Sequence, residues 1–231
     1  MILLVASQFD QLAFRLARNW AGRDACLLTA KDLSRAGWSF SPSVPGEWRG
    51  IAGDRMFDTG TLTGVLNCLP EVDEHELSHI NAEDRAYVAA EMNAFLLSWQ
   101  SQLSCPVINR PSPNCLLGPA WSMEKWVLTA SALGIPALRT NRCSGKQRQP
   151  RVDDMQDART VTVVGDFVVS ENAEQGAWAQ ALARAAGATV ATFHFNSSAI
   201  PEFVGVGLRA DLENPTVADA LLRCFEDSPA C

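Results

Sequence analysis

The sequence predicts an α/β protein in two parts: an α/β domain over residues 1–116 and an α+β domain over 117–231. Three observations carry that prediction. Short apolar runs at 2–6, 26–29 and 62–68 alternate with segments of helical periodicity, as in a parallel or mixed sheet with helices on its faces. The stretch RTVTVVGDFVVS at 159–170 sets Gly165-Asp166 between two β-rich arms, which reads as a hairpin. Between these regions, NRCSGKQRQPRVDDMQD at 141–157 is strongly polar and without periodicity, so it reads as a loop.

Taken in order, residues 2–6 form a buried strand, and Gln8 to Trp20 a helix with Phe9, Leu12, Leu16 and Ala17 on one face. Cys26 to Thr29 is a second strand, and Lys31 to Trp38 fits a helix of two turns. From Ser39 to Gly53, Pro42 and Pro45 among glycines indicate an irregular loop or loose hairpin. Leu62 to Cys68 is a third strand. Ala82 to Leu103 is the longest helix, with Val88, Met92, Phe95, Leu96 and Trp99 as its apolar stripe. Past the polar loop and the hairpin come a helix at 173–186 ended by Gly187, strands at 189–195 and 202–208, and a last helix at 216–225 after Asn214-Pro215.

The stretch from Cys105 to Thr140 links the two parts. Val107 and Ile108 close a strand before Asn109-Arg110-Pro111, and Ser122 suits the N-cap of a helix carrying Trp126, Val127, Ala130 and Leu133, ended by Gly134 and Pro136. This strand, Asn-Arg-Pro loop, helix and Gly-Ile-Pro exit resembles the junction between the N-terminal and nucleotide-binding domains of ATP-grasp ligases, in the branch that modifies peptides and proteins. The strand Val161 to Asp166 resembles the one that leads into a hairpin lining the ATP site of that branch. The resemblance implies a pre-ATP-grasp-like α/β domain followed by an ATP-grasp-like α+β domain, here truncated, because enzymes of the branch are roughly half as long again.

The resemblance also implies a chemistry. Lysines from two lobes bind the triphosphate, a glycine-rich loop closes over it, and near the C-terminus an acidic residue and a Glu-x-Asn pair hold magnesium across the phosphates. In this chain Met123 takes the place of the first lysine, with Lys125 two residues off. Cys143-Ser144-Gly145-Lys146 is the remnant of the glycine loop. The two C-terminal strands, Ala191 to Phe195 and Phe203 to Val206, bring no carboxylate. Two functional readings follow. The main one is a non-catalytic recognition or scaffold subunit for a peptide- or protein-modifying enzyme, with no cofactor. The alternative is a short Mg-ATP-dependent carboxylate–amine ligase using Lys125, Lys146, Asp211 and Glu213. Asp211 and Glu213 precede the last helix, where such residues are ordinary capping chemistry. Loss of a lobe would uncover Trp121, Met123 and Trp126 at the helix start and Phe167 and Val169 on the hairpin, a surface for a homodimer, a heteromeric partner or a peptide.

Composition narrows the remaining classes. A net charge of −7 without clustered Lys and Arg argues against nucleic acid as a partner. No stretch reaches the roughly 18 apolar residues of a membrane span, and the start MILLVASQFDQLAF has no basic region, so a cytoplasmic protein is expected. Seven cysteines without a Cys-x-x-Cys read as free thiols; Cys143, near Arg142 and Lys146, has basic neighbours that favour its thiolate. His75-Glu76-Leu77-Ser78-His79 satisfies the H-E-x-x-H spacing of zinc proteases. The following helix starts near Asn81, past both histidines, and no third ligand follows, so the match reads as chance.

Overall fold

A computed structural model describes residues 1–41, 48–138, 142–143, 146–147 and 158–226, the short pairs 142–143 and 146–147 by backbone alone. The chain divides into two compact units, Met1–Gly118 with Leu212–Cys231, and Pro119–Asp211. The first boundary falls two residues past the one predicted. The last helix, assigned by sequence to the second part, belongs to the first unit.

In the first unit, β1 (Ile2–Val5) is buried along its whole length. A strand covered on both faces needs an unbroken apolar run, and Ile-Leu-Leu-Val supplies it. Helix α1 (Gln11–Asn19) starts three residues later than its periodicity suggests, because the Asp10 carboxylate accepts from the Leu12 and Ala13 backbone N–H groups at 3.0 and 3.1 Å. Phe9 is therefore outside the helix and exposed, not on its inner face. Strand β2 (Ala25–Leu28) is followed by α2 (Ala30–Leu33), a single turn where two were expected. The Asp32 carboxylate holds that turn, accepting from the Thr29 N–H, the Thr29 hydroxyl and the Gly53 N–H.

Strands β3 (Arg49–Ala52) and β4 (Arg55–Asp58) form an antiparallel hairpin over 49–58, where the sequence showed only a loop or loose hairpin up to Gly53. Its inner side feeds an aromatic cluster: Trp38 meets Phe57, Phe95 and Trp99 edge-on at ring separations of 5.9, 5.3 and 5.8 Å. Strand β5 (Gly64–Asn67), helix α3 (Arg85–Ser101) and strand β6 (Val107–Ile108) complete the order β2-β1-β5-β6, parallel throughout.

A buried polar knot fixes this sheet to α3. The Asn67 and Gln100 amides exchange two hydrogen bonds of 2.7 and 3.0 Å, and Asn67 also donates to the Asn109 carbonyl at 2.9 Å. Asn109 in turn donates to the Leu117 carbonyl, and Arg110 caps the end of α3 by donating to the Gln100 and Ser101 carbonyls. The Asn-Arg part of the Asn-Arg-Pro stretch thus ties strand, helix and loop together.

The second unit begins with α4 (Met123–Ala132), capped by the Ser122 hydroxyl accepting from the Lys125 N–H, then a short ladder of β7 (Arg142–Cys143) and β8 (Lys146–Gln147). Strands β9 (Arg159–Val164) and β10 (Phe167–Val169) form the expected hairpin around Gly165-Asp166, with Gly165 at φ +60°, a turn conformation that suits glycine. Helix α5 (Ala173–Ala186), capped by Asn172 and ended by Gly187 at φ +66°, leads to β11 (Val190–Phe195) and β12 (Phe203–Gly207). The sheet runs β10-β9-β11-β12, antiparallel throughout. The Gly-Ile-Pro exit joins its edge, where Leu138 donates to the Phe203 carbonyl and Phe203 to that of Pro136.

Helix α6 (Pro215–Glu226) returns to the first unit. Its Phe225 is buried, 6.5 Å from the Trp20 ring, over the bare backbone of Gly64. That seat, a contact distant in sequence, explains why capping and periodicity located the helix but not its unit.

Candidate functional site

Side chains alternate across a strand, so ladder register sorts the sheet of the second unit into two faces. One packs on α4 and α5: Val161, Val163, Ala191, Phe193, Phe195 and Phe203 meet Trp126, Ala130, Ala179, Leu182 and Ala183 in a single core. The other is built from the alternate positions. Thr162, Thr192 and Gly207 stand in one cross-strand row, and Thr160, His194 and Gly205 in the next. Phe167 and Val169 on β10 and Val164 and Val190 complete it. Thr162 and Thr192 hydrogen-bond through their hydroxyls at 3.1 Å. None of these positions carries a carboxylate.

His194 is half-buried on this face, and desolvation lowers its pKa from the ordinary 6.5. The unfolded chain therefore binds a proton more readily than the folded one. Stability is expected to hold above pH 6.5 and to decline as pH falls through 6.5 towards the depressed folded value. Denaturant titrations at several pH values check this, and His194→Gln should flatten that part of the profile.

The residues proposed for a nucleotide are divided between the two units, Lys125, Lys146 and Asp211 in the second and Glu213 with the first. Lys125 is exposed, its ammonium 3.9 Å from the centre of the Trp121 ring, a cation–π contact. Lys146 pairs through its backbone with Cys143 in the β7–β8 ladder; its side chain, and that of Cys143, lie outside the described residues. Glu213 sits with the first unit, 3.8 Å from Arg15, in a groove of about 490 Å³ between α1 and α6 that Leu12, Leu16 and Trp20 also line. Asp211 is exposed at the end of the second unit. Asn214, beside them, accepts from the Thr216 N–H at 3.0 Å and so caps the start of α6.

The surface expected from a missing lobe is corrected at its centre. Trp126 is only 2% exposed, packed edge-on against Phe193 at 5.8 Å. Trp121 and Met123 are half-buried against the same core, Trp121 lying 4.8 Å from the Trp126 ring. Helical spacing from Trp126 to Ala130 turns this edge of α4 towards the sheet, so Trp126 belongs to the core and not to an exposed surface, while Trp121 and Met123 keep part of their surface open. Phe167 is exposed and Val169 half-buried.

The two histidines of the H-E-x-x-H stretch have separate partners. His75 lies in a 3-10 turn, Glu74–Leu77, and is well exposed beside Asp73, while His79 hydrogen-bonds Ser34 at 2.8 Å. Glu76, the would-be base, is buried, its carboxylate accepting from the Gln8 N–H. Among the described residues no group of three His, Cys, Asp or Glu side chains could hold a metal ion. No helix among them is long and apolar enough to cross a membrane.

No protein-family model matches the chain, and no curated sequence does. Solved structures do. A Chryseobacterium gregarium RiPP-associated ATP-grasp ligase, in complex with ADP and a leader and core peptide, superposes with a TM-score of 0.71 at 9% identity over 99% of this chain and 97% of its own. The macrocyclase MdnC of Microcystis aeruginosa, bound with precursor peptide MdnA, gives 0.70 at 10% identity over 98% and 99%. The ATP-grasp ligase PsnB, with minimal precursor, Mg and ADP, gives 0.68 at 11% over 97% and 98%. The chain has the fold of these ligases, end to end.

Proposed function

We propose that this chain recognises a peptide and serves its modification. The observation that carries the reading is the end-to-end likeness to ligases and macrocyclases whose structures contain a leader, core or precursor peptide. Two forms of the proposal differ in where the chemistry happens. In one the chain is itself a short ATP-dependent carboxylate–amine ligase, the form to which its neighbours' own activities point, with Lys125, Lys146, Asp211 and Glu213 as its polar groups. In the other it is a recognition or scaffold subunit in the cytosol for a modifying enzyme encoded elsewhere. The second form is favoured by the β9–β12 face, whose rows of threonines, histidine and glycines bring no charge to offset a triphosphate. A homodimer or heteromeric partner would then engage the edge marked by Phe167 and Val169.

Mass spectrometry separates the two forms. Peptides encoded beside the gene are incubated with the pure chain and Mg-ATP. Loss of one water per bond formed establishes the ligase. An unchanged mass from a peptide that the chain demonstrably binds establishes the recognition subunit. A chain that neither binds nor alters any of them refutes the proposal.

A further inference from the structure

We infer that the β9–β12 face excludes a magnesium–nucleotide by its chemistry and not by its shape, so that peptide recognition by this chain needs no nucleotide at that sheet. The inference deepens the functional reading above and rests on it only for the peptide.

Magnesium takes about six oxygens near 2.1 Å and is usually anchored by one or two carboxylates besides the phosphates. A triphosphate brings several negative charges, which fixed cations or the metal must offset. On this face the Thr162 and Thr192 hydroxyls are turned on each other at 3.1 Å, and hydroxyls carry no charge to hold a dication. Val164 and Val190 are apolar, and Phe167 and Val169 extend that character along the hairpin. The half-buried His194 offers nitrogen, a poor match for a hard cation. Of the two candidate lysines, Lys125 is the one with a described side chain, and it rests its ammonium on the Trp121 ring.

Space does not explain the missing donors. A Cβ built on Gly207 meets no heavy atom of the described residues within 4 Å, so the first carbon of a side chain has open space there. Gly207 faces Thr192 across the β11–β12 ladder, which puts their side-chain positions about 5 Å apart. Two carboxylates at that spacing are able to grip one divalent ion, so the exclusion can be reversed by substitution.

The test measures Mg-ADP binding by isothermal titration and Mn²⁺ binding by the loss of the free-ion electron paramagnetic signal. The unaltered chain is expected to show no saturable binding of either up to about 1 mM, a weak limit for a cation site. The Thr192→Asp/Gly207→Asp variant is expected to bind Mn²⁺ at least ten-fold more tightly. The single Gly207→Asp variant, whose Cβ enters open space, is expected to gain a smaller increment, and it keeps the test decisive if the double variant misfolds. Micromolar binding of Mg-ADP by the unaltered chain would overturn the inference. So would well-folded variants that gain no Mn²⁺ affinity. Peptide binding is measured on the same samples: its absence alongside absent nucleotide binding refutes the functional reading and leaves this inference standing.

Discussion

Gly64→Ala is expected to destabilise the protein by about 2–3 kcal/mol, the range for overpacking a tight core, with a fall in Tm of roughly 4–10 °C. The added methyl would lie 2.2 Å from a carbon of the Phe225 ring, well inside van der Waals contact. Phe225 is buried on α6 and cannot swing aside without losing its seat beside Trp20. The partner variant Phe225→Ala removes the clash and costs about 3–5 kcal/mol by itself, through the cavity it leaves. The two should be strongly coupled, the double variant being less destabilised than the sum of the singles. Strict additivity, or a neutral Gly64→Ala, would mean that α6 does not close the first unit as described. Thermal and denaturant unfolding of the four proteins decide it.

Asn67→Leu is expected to be comparably severe, at about 2–4 kcal/mol. Gln100 is fully buried, and both hydrogen bonds of its side-chain amide go to Asn67. Removing Asn67 strands a donor and an acceptor away from water, each costing about 1–3 kcal/mol, part of which leucine recovers by apolar packing. The Asn67→Leu/Gln100→Leu pair, which strands neither amide, should be milder than the two single costs combined. Arg110→Ala, which uncaps the end of α3, should cost about 1 kcal/mol. Chemical denaturation at fixed pH measures these three and the single Gln100→Leu variant, and an unperturbed Asn67→Leu would show that the knot contributes nothing to the unit.

The parallel sheet was legible because strands covered on both faces are largely apolar, and Ile2–Val5 and the Val65-Leu66 centre of β5 meet that demand locally. The β9–β10 hairpin was legible because Gly165 supplies the one backbone conformation that a two-residue turn requires. Strands β3 and β4 were largely missed. Arg49-Gly50-Ile51-Ala52 has little strand propensity by itself, and its pairing is stabilised by Phe57 lying on the bare Gly50 backbone, a contact made only once the hairpin closes. The outward placing of Trp126 failed for a related reason. Periodicity gives the apolar side of α4 but not what covers it, and Phe193 on β11 covers it here. For the candidate site, the period-2 rows Thr160-x-Thr162 and Thr192-x-His194 were in plain sight. Their shared face appears only through the ladder register that sets Thr162 against Thr192.

The most direct test of peptide recognition is fluorescence anisotropy of labelled peptides encoded beside the gene, titrated with the pure chain in the presence and absence of Mg-ATP. The account predicts saturable binding of one such peptide with a Kd that Mg-ATP leaves unchanged. Binding that appears only when Mg-ATP is added, or no binding of any of these peptides in either condition, would contradict it.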